Sequence, residues 1–285
     1  MKIAFVGAGN MGGAVARRLA TGGHEVHVFD LNPEAVQRCA DAGAKAAASA
    51  GEAAAGAAYV FTSLPLPEHV RRVWTELAPG LAPGAVAVDV STIDPPTAEH
   101  LTRLLDGHEF VHCALGKTPA AAEEGAIPLF VGGPADAIEA MRPLLERIGE
   151  QVYDFGSPAA ASMFKLVSNM IGMTNVAVLA EGYVLARRAG IEDEMFSAAL
   201  RDTGAFSFQS DVRLPWIVAR DYAPRFGAAL AAKDVRLAVD SAARWNVPTP
   251  VAAQALSQLV SAVAHGYGGE DVVAVHKLLA PGEEE

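Results

Sequence analysis

The stretch KIAFVGAGNMGGAVARRLA, residues 2–20, decides the fold. Lys2 to Val6 is an apolar, β-favouring run. Gly7-Ala8-Gly9-Asn10-Met11-Gly12 follows at once, and Ala14 to Ala20 reads as helix. A G-x-G-x-x-G spacing between strand and helix gives each glycine a task. Gly7 permits the tight turn, Gly9 lets backbone N–H groups approach a pyrophosphate, and Gly12 lets helix and strand pack closely. Asn10 and Met11 open the helix, whose positive end then faces the phosphates. A second apolar run, Glu25 to Phe29, ends in Asp30 and Leu31. An acid at that place accepts the ribose hydroxyls of an adenosine. Together these predict a dinucleotide site built from Gly7, Gly9, Asn10, Met11, Gly12, Asp30 and Leu31. The plainer alternative is a turn that only packs a helix on a sheet. The cofactor is expected to be NAD, because Asp30 repels a 2′-phosphate and Leu31-Asn32-Pro33 offers no arginine to receive one.

Working outward, Asn32-Pro33-Glu34 starts a second helix, with an N-cap and then proline at the first helical position. Further strands are expected at 58–64, 85–90, 109–115, 129–131 and 151–155, with helices between most of them. That alternation implies a doubly wound parallel sheet covered on both faces, a Rossmann-type α/β domain over residues 1–157. Ser157-Pro158 then opens a long run of helix formers to Arg188, with Gly190 as C-cap. This predicts an interdomain helix over 158–189 and an all-α domain over 190–285, broken near Thr203-Gly204, Pro224, Pro248–Pro250 and Gly266–Gly269. A frayed tail is expected from Pro281 to Glu285.

With 285 residues, the chain is long enough for two domains. Its 22 basic and 33 acidic side chains give a net charge of −11, which argues against nucleic-acid or anionic-membrane partners. An anionic substrate must be held by a few local cations. Only Cys39 and Cys113 are present, so no disulfide framework is expected, and a reducing cytoplasm is. The chain opens on a strand, so no signal peptide is expected. The longest charge-free part of the long helix, between Lys165 and Glu181, is fifteen residues, short of a bilayer span.

Lys165 and Asn169 lie four residues apart and share a helix face. Met163, Phe164, Leu166, Val167, Met170 and Ile171 surround them. Partial desolvation is expected to lower the lysine pKa towards the range of a general acid/base. A solvated helix face is the alternative that spacing alone leaves open.

Taken together, these residues resemble the β-hydroxyacid dehydrogenase family, which includes 3-hydroxyisobutyrate dehydrogenase. The likeness rests on GAGNMG at 7–12, Ser63-Leu64-Pro65, Asp89-Val90-Ser91-Thr92-Ile93-Asp94-Pro95, Lys165 with Asn169, and Phe226…Leu230…Lys233-Asp234 followed by Gly268…Asp271. The resemblance implies that Lys165 is the catalytic acid/base and that Asn169 supports it. It also implies that Ser63, Leu64, Pro65, Thr92 and Lys233 meet the cofactor and that Ser91 helps to bind substrate. Chemistry in a cleft between domains is implied, as is a homodimer or homotetramer, often formed through the helical domains. The activity implied is NAD-dependent interconversion of a short 3-hydroxy acid and its semialdehyde. An imine reductase-like enzyme and a non-catalytic dinucleotide-binding relative are the competing readings; the lysine argues against both.

One segment departs from the family pattern. The proline, small residue and Ser-Gly-Gly that usually follow the fifth strand are replaced, within His112-Cys113-Ala114-Leu115-Gly116-Lys117-Thr118-Pro119, by Gly116, Lys117 and Thr118. A Gly-Arg-Thr-Ser run here resembles the branch that reduces sulfolactaldehyde. Lys117 would then be a point-charge counterpart of that arginine, and Gly116, Lys117 and Thr118 would grip an anionic head. A surface lysine in a loop is the alternative. His112, with no neighbouring acid or second histidine in view, makes no metal-ligand set, and no metal is expected. Phe206, Phe208 and Trp216 read as a substrate wall or as core, and Cys113 as a small buried strand residue.

Overall fold

The computed structural model describes residues 1–280. Among them, eight strands form one sheet: β1 Lys2–Val6, β2 Glu25–Phe29, β3 Lys45–Ala46, β4 Tyr59–Thr62, β5 Val86–Asp89, β6 Glu109–Leu115, β7 Pro128–Gly132 and β8 Gln151–Asp154. The helices are α1 Asn10–Thr21, α2 Pro33–Ala40, α3 Ala50–Ala54, α4 Pro67–Leu77, α5 Pro95–Leu104, α6 Pro119–Glu124 and α7 Ala135–Ile148. Then follow α8 Pro158–Arg188, α9 Asp193–Arg201, α10 Phe208–Val218, α11 Ala228–Arg244, α12 Pro250–Ala264 and α13 Val275–Leu279. The predicted tail from Pro281 lies outside the described residues. Two compact units emerge, residues 1–165 and 166–285, with the division falling inside α8.

The first unit is the sheet, in strand order β3-β2-β1-β4-β5-β6-β7-β8. Alternation along each strand feeds two separate cores. Ile3, Phe5, Val88 and Val111 join Val15 and Leu19 of α1 and Met141 and Leu144 of α7. Ala4, Val6, Val60 and Ala87 join Val70 and Trp74 of α4 and Leu101 of α5. Helices on both faces are what the expected fold requires.

The sheet differs from a fully parallel one at one place: β7 runs antiparallel to β6, pairing His112 with Gly132 and Leu115 with Leu129. The link between them holds only the six-residue α6 and starts at the carboxyl end of β6. A link that short reverses the chain rather than carrying it back across the sheet. Strand β3 is two exposed residues in the alanine-rich stretch, with no apolar pattern to announce it.

The second unit is all helical. Met173, Val176, Ala180 and Tyr183 step along one face of α8 and pack with Leu214, Ile217, Val235 and Leu259. By length and composition α8 also passes for a membrane-crossing helix, with a mean hydropathy of 1.3 over its most apolar window. This packed face is a core reason for that apolarity. Gly190 takes a left-handed φ of 79° just past the helix end, as expected of a C-cap.

Candidate active site

The residues singled out in the first unit gather at the carboxyl ends of neighbouring strands. Gly7 follows β1, Asp30 follows β2, Ser63 follows β4, Ser91 follows β5 and Gly116 follows β6. Strands β1 and β4 are adjacent although β2 and β3 intervene in sequence, so the crevice at their ends is the switch point where α/β sheets bind ligands.

The glycine turn is shaped for a close ligand. Gly7 has φ 95°, and a Cβ there would lie 2.1 Å from the Ser63 carbonyl oxygen. A Cβ on Gly12 would lie 2.3 Å from the Gly7 carbonyl oxygen and 2.6 Å from Ser63 Cβ. Gly9 meets nothing within 4 Å. Protein thus closes positions 7 and 12, while position 9 faces open space at the start of α1. This cradle fits a dinucleotide pyrophosphate.

Asp30 ties the turn to β2. Its Oδ2 accepts from Ala8 N at 2.6 Å, and its Oδ1 accepts from Asn32 N at 2.7 Å. Each oxygen keeps a second acceptor direction for a ribose hydroxyl. Leu31 beside it is 87% exposed. The Asn32 side chain caps α2 by accepting from Glu34 N.

Behind the next two loops lies a buried polar network that the sequence reading missed. Asp89 Oδ1 accepts from Thr62 Oγ1 and from Ser91 Oγ, each at 2.7 Å. Thr62 in turn accepts from Trp74 Nε1 at 2.9 Å, and Ser91 Oγ accepts from Leu64 N at 2.9 Å. Ser63 N donates to Val6 O. The expectation that His112 has no neighbouring acid is corrected: parallel register sets it beside Asp89, with His112 Nδ1 3.3 Å from Asp89 Oδ2 and both side chains fully buried. Positions 89 and 112 fall within two strands predicted consecutively along the chain, which was the available signal. Cys113 is buried as expected, and burial, with the Asp89 charge second, pushes its thiol up to about 12. Among the described residues no three His, Cys, Asp or Glu gather as metal ligands.

The turn after β6 is tightly specified. Gly116 N donates to Pro128 O, and a Cβ at Gly116 would lie 2.5 Å from Pro128 Cγ. Lys117 is left-handed, φ 58°. Its ammonium donates to Ala126 O at 2.7 Å and pairs with Glu150 Oε1 at 2.5 Å. Thr118 caps α6, its hydroxyl accepting from Ala121 N at 3.3 Å.

Lys165 rides on a part of α8 that is anchored to the sheet unit. Three residues earlier, buried Ser162 Oγ donates to Ile93 O at 2.7 Å, just beyond the Ser91-Thr92 loop. Phe164 stacks on Phe155, ring centroids 4.6 Å apart, and meets Phe130 edge-on at 4.8 Å. Lys165 itself is half-buried. One turn on, Asn169 Nδ2 donates to Asp234 Oδ2 at 2.6 Å, and Lys233 Nζ lies 2.8 Å from Asp234 Oδ1. Buried Asp234, quoted earlier without a role, thus joins Asn169 to Lys233. Phe206 and Phe208 are exposed rather than core, while Trp216 lies under the Arg225 guanidinium at 4.2 Å.

Comparison with known proteins gives the family. Residues 2–156 match the family model for the NAD-binding domain of 6-phosphogluconate dehydrogenase. Residues 159–279 match the one described as the NAD-binding region of NADP-dependent 3-hydroxyisobutyrate dehydrogenase. The chain is 32% identical to the NAD-dependent L-serine dehydrogenase of Pseudomonas aeruginosa, over 98% of each chain. It is also 32% identical to the 3-sulfolactaldehyde reductase of Escherichia coli, over 96% of this chain and 94% of that one. The solved structure of Mycobacterium tuberculosis 3-hydroxyisobutyrate dehydrogenase with L-serine superposes with a TM-score of 0.89 at 28% identity, covering 97% and 98% of the two chains. An imine reductase from Pseudomonas sp. stands further off, with a TM-score of 0.66 at 23% identity, covering 97% and 98% of the two chains. With both halves matched and relatives alike over nearly their whole length, this chain belongs to the β-hydroxyacid dehydrogenase family typified by 3-hydroxyisobutyrate dehydrogenase.

Proposed function

We propose that the protein is an NAD-dependent oxidoreductase that interconverts a short 3-hydroxy acid, or its sulfonate counterpart, and the matching semialdehyde. The observation that carries this reading is the anchoring of the Lys165 segment, through Ser162 and Ile93, beside the Ser91-Thr92 loop at the dinucleotide end of the sheet. When bound, the reduced nicotinamide supplies a hydride to the carbonyl carbon. Lys165 Nζ gives the carbonyl oxygen its proton, so that aldehyde, NADH and a proton become alcohol and NAD⁺. Asn169, its amide oriented by Asp234, holds the substrate oxygen near that ammonium. The Gly116–Thr118 turn receives the anionic head, since the Ser91 hydroxyl is already committed to Asp89 and Leu64 N. The enzyme works in the cytoplasm as a homodimer or homotetramer, without nucleic-acid or membrane partners. The test is NADH consumption with a panel of short semialdehydes beside a cyclic imine. Turnover of the imine alone, or tight NADH binding with no turnover at all, overturns the reading.

Two further results are expected. NADH is preferred to NADPH by at least about tenfold in specificity constant, about 1.4 kcal/mol, because Asp30 repels the 2′-phosphate. Comparable constants for the two would count against Asp30 as the ribose acid. The second concerns Lys117. To meet a substrate anion, its ammonium exchanges the Glu150 carboxylate for the substrate's. Because charge-assisted bonds contribute roughly 1.5–3 kcal/mol, Lys117→Ala should raise the KM for an acidic substrate at least about tenfold. An uncharged aldehyde of similar size should be affected far less. Equal effects on both, or none, remove Lys117 from substrate selection.

A further inference from the structure

We infer that Asp89 and His112 are a buried positioning pair that fixes the two loops lining the cofactor. The inference rests on the proposed dinucleotide-binding function. Asp89 is fully buried at the end of β5, and no solvent reaches its charge. A carboxylate so placed is costly to bury and depends on the groups that face it. Oδ1 takes both hydroxyls, from Thr62 and Ser91. Oδ2 has His112 Nδ1 at 3.3 Å, close enough for an ion pair but with no hydrogen bond between them. His112 is equally buried and sits opposite Asp89 in the strand register.

What the pair holds is the backbone of the site. Because the Ser91 hydroxyl donates to Asp89, its lone pair is aimed at Leu64 N, in the middle of Ser63-Leu64-Pro65. The same carboxylate therefore sets the loops after both β4 and β5. Ser63 in turn crowds Gly7 and Gly12 of the phosphate turn. An uncharged amide at position 89 offers one oxygen where there were two and turns donors towards its neighbours. The amide oxygen left in the Oδ1 place is the weaker acceptor, so the Ser91 hydroxyl and, through it, Leu64 N are held less firmly, while an NH2 group faces His112. His112 contributes by packing against Oδ2 from the neighbouring strand, which holds the carboxylate in place.

The experiment is NADH titration by fluorescence, with melting temperature measured on the same samples. It uses the wild type, Asp89→Asn, His112→Gln, Ser91→Ala, Ser91→Thr and, as a control, Met141→Ala, a core change on α7 outside the Asp89 hydrogen-bond network. Asp89→Asn, His112→Gln and Ser91→Ala should each raise the NADH Kd by about tenfold or more, the loss expected when a buried hydrogen-bonding group is orphaned. Ser91→Thr, which keeps the hydroxyl, should stay within about twofold of wild type. Met141→Ala should lower the melting temperature without changing Kd. Wild-type affinity in folded Asp89→Asn overturns the assignment. If Asp89→Asn does not fold, equal affinities of Ser91→Ala and Ser91→Thr overturn it instead. A loss of affinity in Met141→Ala as large as in Asp89→Asn also overturns it, since general destabilisation then explains the effect. A wild type that fails to bind NADH overturns the proposed function itself, and the pair's role falls with it.

Discussion

Lys165→Ala is expected to lower turnover by roughly two to four orders of magnitude, the usual span for general acid–base catalysis. NADH affinity should hardly move, because the lysine works on the substrate oxygen and not on the dinucleotide. The residual rate should stay far above the uncatalysed one, since hydride donor and acceptor are still held together. Asn169→Ala should cost less, because the amide positions and does not transfer the proton. Single-turnover rates with NADH in excess, beside NADH titrations of the same variants, check both statements. Near-normal turnover in Lys165→Ala would assign the proton to another group.

The second large effect lies in the glycine turn, where neighbouring glycines should fail for different reasons. Gly7→Ala places a methyl 2.1 Å from the Ser63 carbonyl oxygen on a residue with φ 95°. Backbone strain and overlap together should destabilise the protein by about 2–4 kcal/mol. NADH affinity should fall by about a hundredfold or more, about 2.7 kcal/mol, because the loops after β1 and β4 must separate. Gly9→Ala meets no protein atom within 4 Å, so it should leave the melting temperature nearly unchanged. Its methyl projects where the pyrophosphate approaches the backbone, so NADH should still bind more weakly. Unchanged affinity in Gly9→Ala would place the phosphates elsewhere.

Much of this was legible in the sequence because it is local. The glycine turn, the proline-led helix starts and the alternating strands each occupy a few consecutive residues. What escaped depends on pairing between distant residues. An apolar run such as Pro128–Gly132 announces a strand but carries no direction, so the reversal at β7 was invisible. Lys45–Ala46 joins the sheet edge through backbone bonds alone, and no side-chain pattern marks it. Asp89 and His112 meet only because of strand order and register, although both stretches were expected to be strands. The bond from Lys117 to Glu150 spans 33 residues and leaves no local trace.

The contact between the Trp74 indole and Thr62 makes the sheet unit its own optical gauge. Trp74 is fully buried, and the other two tryptophans, Trp216 and Trp245, lie in the helical unit. Emission from a protein carrying Trp216→Phe and Trp245→Phe would therefore come from one indole, whose N–H is one hydroxyl away from Asp89. Indole emission shifts with the polarity and hydrogen bonding of its surroundings. Loosening of the loop network should thus appear as a red shift before the sheet melts, and its rate could be followed without any added dye.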